Sequence, residues 1–133
     1  MSPRETTCLV VDDSAVIRKV ARRIIEDIGY VVMEAEDGDT ALELCAESMP
    51  DVILLDWNMP NRDGYAFLQE LRQSEAGRQP KVIFCTTEND VGAIARALHA
   101  GADEYIMKPF DRDILTAKLE QVGVSAKAAS NLI

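Results

Sequence analysis

Five short apolar runs divide the chain at near-regular intervals: Cys8–Val11, Tyr30–Met33, Val52–Leu55, Val82–Cys85 and Glu104–Met107. Most are continuous and rich in β-branched residues, the pattern of strands buried on both faces rather than one. Between the runs the apolar spacing turns helical. Ser14 caps a segment whose stripe reads Ile17, Val20, Ala21, Ile24, Ile25 and Ile28 before Gly29. Further helices are predicted over about 37–48, ahead of Pro50, over about 64–73, and over about 90–100, where Gly101 stops the turn. A last one starts near Asp111 and carries Ile114, Leu115, Lys118, Leu119 and Val122 on one face. Strand and helix alternating in this way predict a single α/β domain with a doubly wound parallel sheet.

That architecture decides where chemistry sits. Polar residues follow the apolar runs: Asp12 and Asp13 after the first, Asp56 after the third, Thr86 after the fourth and Lys108 after the fifth. All strands of a parallel sheet end at the same edge, so these side chains converge on one crevice, where open α/β sheets bind ligands. Three carboxylates there repel one another unless a cation lies among them. The donor set is oxygen only, which favours a hard divalent ion such as Mg2+ over zinc or copper. Lys108 adds a point charge suited to a phosphoryl group, and Thr86 a hydroxyl donor. Together these are parts for phosphoryl transfer, with Asp56 as the nucleophile that forms an acyl phosphate. Each residue alone has a duller reading as a cap, a turn or a loop. Their coincidence at one sheet edge is what carries the inference.

Composition removes several alternatives. Lys and Arg total 14 against 23 Asp and Glu, a formal net charge of -9, so binding to a nucleic-acid backbone is not expected. No apolar run is long enough for a membrane helix, and the N-terminus lacks secretory signal architecture. Cys8, Cys45 and Cys85 are odd in number and lack zinc-like spacing, which suits a reduced, cytoplasmic setting. Neither a dinucleotide fingerprint nor a P-loop occurs in the sequence.

The segments Leu9–Ser14, Asp56–Gly64, Thr86–Glu88 and Lys108–Phe110, with the spacing between them, resemble the bacterial response-regulator receiver domain. Within that family the chain is most similar to the single-domain, CheY-like chemotaxis regulators. The resemblance spans roughly residues 6–122. It implies strand order 2-1-3-4-5 with five helices, and a receiver domain over 1–122 followed by a short tail, 123–133, without an output domain. Asp56 matches the phosphoacceptor. Asp13, Asp56 and the backbone carbonyl of Asn58 match direct Mg2+ ligands, with Asp12 reaching the ion mainly through water. Lys108 matches the lysine that pairs with the phosphoryl group, and the Lys108–Pro109 bond is expected to be cis. Thr86 and Tyr105 match a switch pair. Asn58 and Glu88 match residues that govern how quickly the acyl phosphate is hydrolysed. Thr87 departs from the family, where the chemotaxis regulators usually carry a small alanine.

The expected function is that of a signalling module rather than an enzyme. It is phosphorylated by a histidine kinase or phosphotransfer protein and, as a monomer, binds a downstream protein through its fourth helix, fifth strand and fifth helix. Chemotaxis is the favoured pathway, with a phosphorelay intermediate or a kinase-regulating receiver as alternatives. An aspartyl-phosphate phosphatase ranks far lower, since those enzymes place a second acid two residues after the nucleophile and this chain has Asn58 there. Arg18, Lys19, Arg22 and Arg23 read as a solvated basic face of the first helix, with kinase docking close behind. His99 reads as a surface residue, Cys85 as strand packing, and Gly38, Gly64 and Gly101 as turn or cap glycines.

Overall fold

A computed structural model of the chain, which describes residues 5–57, 59, 63–86 and 91–123, alternates strand and helix throughout. The elements are β1 (Thr7–Val11), α1 (Ala15–Ile28), β2 (Val31–Ala35), α2 (Gly38–Glu47), β3 (Val52–Asp56), α3 (Gly64–Leu71), β4 (Lys81–Thr86), α4 (Val91–Ala100), β5 (Glu104–Met107) and α5 (Arg112–Gln121), with one 3-10 turn at Ala76–Arg78. The strands pair in parallel in the order β2-β1-β3-β4-β5, as the resemblance implied. Among the described residues no helix is long and apolar enough to cross a membrane.

Burial on both faces is visible in the strand pattern. Cys8, Val10, Val52, Leu54, Ile83, Cys85 and Ile106 face a core shared with α1 and α5. The alternate residues Leu9, Val11, Ile53, Leu55, Val82 and Phe84 face a second core shared with α2, α3 and α4. Every residue of β3, the central strand, is buried. A period of two with no polar face leaves the chain no alternative to a sheet covered on both sides.

The helix ends follow local chemistry. Ser14 Oγ accepts from Ile17 N at 3.3 Å to start α1, and Gly29, at φ 117, closes it in the left-handed region. Asp37, Asp63 and Asp111 each accept a backbone N–H three residues on, at 2.8, 2.8 and 2.9 Å, opening α2, α3 and α5. Some sequence-based boundaries move. β2 begins after Tyr30 and runs on through Glu34 to Ala35, because pairing with β1 continues past the apolar run. α3 ends at Leu71 with Arg72 as its C-cap, whose guanidinium donates to carbonyls of neighbouring loops. On α5 only part of the predicted face is inward: Leu115, Leu119 and Val122 are buried, while Ile114 is 45% exposed. Asp90, set at the start of the fourth helix, and residues 124–133 of the predicted tail lie outside the described residues.

Candidate functional site

Strand register alone brings the acidic residues together. Val11 pairs with Leu55, so the next residue, Asp12, comes level with Asp56 at the end of β3. Thr86 closes β4 opposite Met107, which places Lys108 one step beyond β5. Asp12, Asp56 and Thr86 are all buried, whereas Asp13 is exposed. One carboxylate oxygen from each of Asp12, Asp13 and Asp56 lies within 4.8 Å of the others.

Lys108 ties this cluster together. Its Nζ donates to Asp12 Oδ2 at 2.7 Å and to Asp56 Oδ1 at 3.0 Å. Its backbone N donates to Thr86 O at 2.9 Å, and the Lys108–Pro109 peptide is cis. Asp12 is held on every side: its N donates to Ala35 O at 3.1 Å, and Ser14 N donates to its Oδ1 at 2.8 Å. Both carboxylate oxygens of Asp12 are therefore engaged, while Asp13 has no hydrogen bond to another described residue.

Charge balance at the site is unfavourable without a further cation. Burial pushes the Asp56 carboxyl above its ordinary value; the hydrogen bond from Lys108 pulls it back, and the neighbouring Asp12 and Asp13 charges push it up again. Burial also opposes the charge on Lys108, but its hydrogen bonds to Asp12 and Asp56 outweigh that and raise its pKa overall. One lysine thus stands among three carboxylates. A divalent ion with oxygen preference fits this donor set, with Asp13 and Asp56 free to approach it more closely than the fully engaged Asp12. When bound, Mg2+ would neutralise the charge on a phosphoryl group's oxygens.

Aromatic packing leads away from the site on the α3–α4 side. Trp57, next to Asp56, packs against Tyr65 at 5.7 Å edge-on and against Phe84 at 5.3 Å between ring centroids. Phe84 in turn meets Tyr105 at 6.0 Å. The Tyr105 ring is half-buried under Lys118, whose Nζ lies 4.7 Å from the centroid and 3.3 Å from Glu104 Oε1. Phe84 pairs with Tyr105 and Thr86 with Met107, so Thr86 and Tyr105 stand on adjacent strands and on the same face of the sheet.

Asn58 and Glu88, read as tuning residues, and Thr87 lie outside the described residues. His99 is exposed on α4. The three cysteines are buried thiols; burial pushes Cys8 up to about 12 and Cys45 up to about 11, and raises Cys85 as well, so none is a ready nucleophile.

Two features matter more than their sequence reading suggested. Gly64 was grouped with turn and cap glycines, yet a Cβ there would meet Asp56 O at 2.7 Å and Trp57 Cα at 3.1 Å. The glycine is what lets α3 start against the backbone of Asp56 and Trp57, and its N donates to Trp57 O at 3.1 Å. A glycine eight residues past an acidic strand end carries no signal that separates this role from a plain turn. The basic face of α1 is also less solvated than the sequence indicated. Arg18 and Arg22 both pair with Glu34 on β2, at 3.1 and 2.7 Å, leaving Lys19 and Arg23 as the exposed pair.

Known proteins resemble the chain in sequence and fold. The response regulator receiver domain family matches residues 8–120. The chain is 38% identical over 116 residues to the chemotaxis protein CheY1 of Helicobacter pylori, covering 86% of this chain and 94% of that protein. It is 38% identical over 114 residues to the phosphate regulon transcriptional regulatory protein PhoB of Escherichia coli, covering 86% of this chain and 50% of PhoB. A probable transcriptional regulator, ycf27 of Guillardia theta, is 41% identical with 44% of its length covered. The chain thus spans about half the length of these two transcriptional relatives. Among solved structures, chemotaxis protein CheY4 of Vibrio cholerae superposes with a TM-score of 0.86 at 31% identity, covering 90% of this chain and 99% of that one.

Proposed function

The chain belongs to the response regulator receiver domain family, and from that premise we propose that Asp56 accepts a phosphoryl group from the phosphohistidine of a histidine kinase or phosphotransfer protein, and that the change is passed on by protein binding. The observation that carries this reading is Lys108 Nζ, held 3.0 Å from Asp56 Oδ1 and 2.7 Å from Asp12 Oδ2 at a buried sheet edge. An ammonium so placed attracts an incoming phosphoryl oxygen and orients the carboxylate it already holds.

In the proposed transfer an Asp56 oxygen attacks phosphorus and the P–N bond to the donor imidazole breaks. The electron pair leaves with the ring nitrogen, and an acyl phosphate remains on Asp56. Lys108 then exchanges its Asp56 contact for a phosphoryl oxygen, and the Thr86 hydroxyl donates to another. Tyr105, on the neighbouring strand, responds through its ring, and the face formed by α4, β5 and α5 meets the downstream protein. Asn58 and Glu88 set how water reaches the acyl phosphate and so how long the signal lasts. Coverage of nearly all of the Helicobacter chemotaxis protein supports a chemotactic role in the cytoplasm.

The test is stoichiometric labelling. Acetyl phosphate with Mg2+ is expected to add one phosphoryl group per chain, seen as a mass shift, and to add none to Asp56→Asn. Full labelling of that variant, or repeated turnover of a small phosphate ester by the wild type, would overturn the proposal.

A further inference from the structure

Arg18 leaves α1 one turn past its N-cap and folds back toward the acidic loop. Its Nη1 donates to the carbonyl oxygen of Asp12 at 2.6 Å, and its Nε donates to Glu34 Oε1 at 3.1 Å. Glu34 is itself held from a second side by Arg22 Nη1 at 2.7 Å, and Arg22 Nε also meets Glu26 at 3.1 Å. The guanidinium is thus a planar fork with one tine on the strand β2 and the other on the loop after β1.

The carbonyl that Arg18 holds belongs to the peptide joining Asp12 to Asp13. A peptide unit is planar, so fixing its oxygen fixes the direction in which the next residue leaves. The Asp12 side chain does not need this support, because Ser14 N and Lys108 Nζ already hold its two oxygens. Asp13 does need it. Its carboxylate is exposed and makes no hydrogen bond to another described residue, so its placement beside Asp56 depends on the backbone that carries it.

We propose that Arg18 is a positioning residue of the metal site: by holding the Asp12 carbonyl from an anchor on Glu34, it aims the Asp13 carboxylate at a divalent cation beside Asp56. The inference rests on the metal reading given above and adds to it a residue that touches none of the proposed ligand atoms. Charge and geometry predict opposite signs here. As a cation near a cation site, Arg18 weakens Mg2+ binding by repulsion, so removing it should tighten binding if charge alone matters. Removing it should loosen binding if aim matters.

The test measures Mg2+ affinity by calorimetry on the full chain, with urea stability recorded for each variant. Arg18→Met keeps the stem and loses the fork; the dissociation constant is expected to rise about tenfold, the low end of what loss of an outer-sphere partner does at metal sites. Arg22→Met removes an equal charge and the other partner of Glu34 without touching Asp12, and is expected to lose stability but keep wild-type affinity. The inference falls if Arg18→Met binds Mg2+ as tightly as wild type or more so, or if Arg22→Met weakens binding as much as Arg18→Met does. A wild type that binds no Mg2+ overturns the metal reading and this inference with it.

Discussion

The two edges of the sheet treat carboxylates in opposite ways. At the amino edge, Asp51 Oδ2 accepts from Thr7 N at 2.8 Å and from Thr7 Oγ1 at 3.2 Å. Asp103 Oδ2 accepts from Val82 N at 2.8 Å and from Arg72 Nη2 at 3.1 Å. At the carboxyl edge Asp12 and Asp56 share Lys108, and the Asp13 carboxylate lies beside them without a hydrogen bond to another described residue. The difference comes from strand polarity. The amino ends of parallel strands present backbone N–H donors, which satisfy a carboxylate, and the carboxyl ends present carbonyl oxygens, which repel one. Acids at the first edge therefore fasten the fold. Acids at the second are left short of positive charge, and that shortage is what a divalent cation can relieve.

The largest effect that would test this contrast is at Arg72, which joins the amino edge by donating to the carbonyls of Gly77, Pro80 and Gly101 as well as to Asp103. Arg72→Ala is expected to cost about 3 kcal/mol in urea unfolding, because several half-buried acceptors lose their donor at once. Mg2+ affinity should not change; a joint loss of both would mean that the two edges are not independent.

Asp56→Asn should have the opposite sign. The folded protein holds this carboxyl above its ordinary pKa, so the ionised form costs stability when no metal is present. With chelator at neutral pH, the variant is expected to gain about 1 kcal/mol, and added Mg2+ should stabilise wild type but not the variant. A loss of stability in chelator would show that the carboxyl edge is not strained by its own charge.

The smallest effect concerns Glu34, a carboxylate near the strained edge that does have its cations. The hydrogen bond from Arg22, helped by that from Arg18, holds its pKa below the ordinary value. A depressed folded pKa contributes stability above the unfolded value and loses it as pH falls through the folded one. The stability difference between wild type and Glu34→Gln should thus be present at neutral pH, under about 1 kcal/mol for a partly solvated pairing, and shrink as pH falls below the usual glutamate range. Urea midpoints across that range would show it; a difference that grows on acidification would refute the pairing.

The strand–helix alternation and the convergence of Asp12, Asp56, Thr86 and Lys108 were legible because both depend on period and polarity, which one chain displays by itself, whereas the strand order came from the family resemblance. What stayed hidden depends on which side chains meet across elements. Glu34 follows the second apolar run in sequence and nothing there marks it, yet it extends β2 and gathers two arginines from α1. The helical spacing of Arg18 and Arg22 was readable as a shared face, but whether that face meets water or a strand is decided by packing. The same holds for Gly64, whose necessity lies in a backbone approach that no local pattern encodes.

The full burial of β3 has a consequence in time as well as in space. Amide protection follows how deeply a segment is embedded, so the strand that carries Asp56 should exchange its hydrogens only when the whole domain opens. β5, an outer strand of four residues with a single fully buried member, belongs to the range that opens far more often. Asp56 is therefore expected on the slowest-opening part of the molecule, and Tyr105 on one of the faster parts. A modification made at the buried centre would be read out at a margin expected to open more readily.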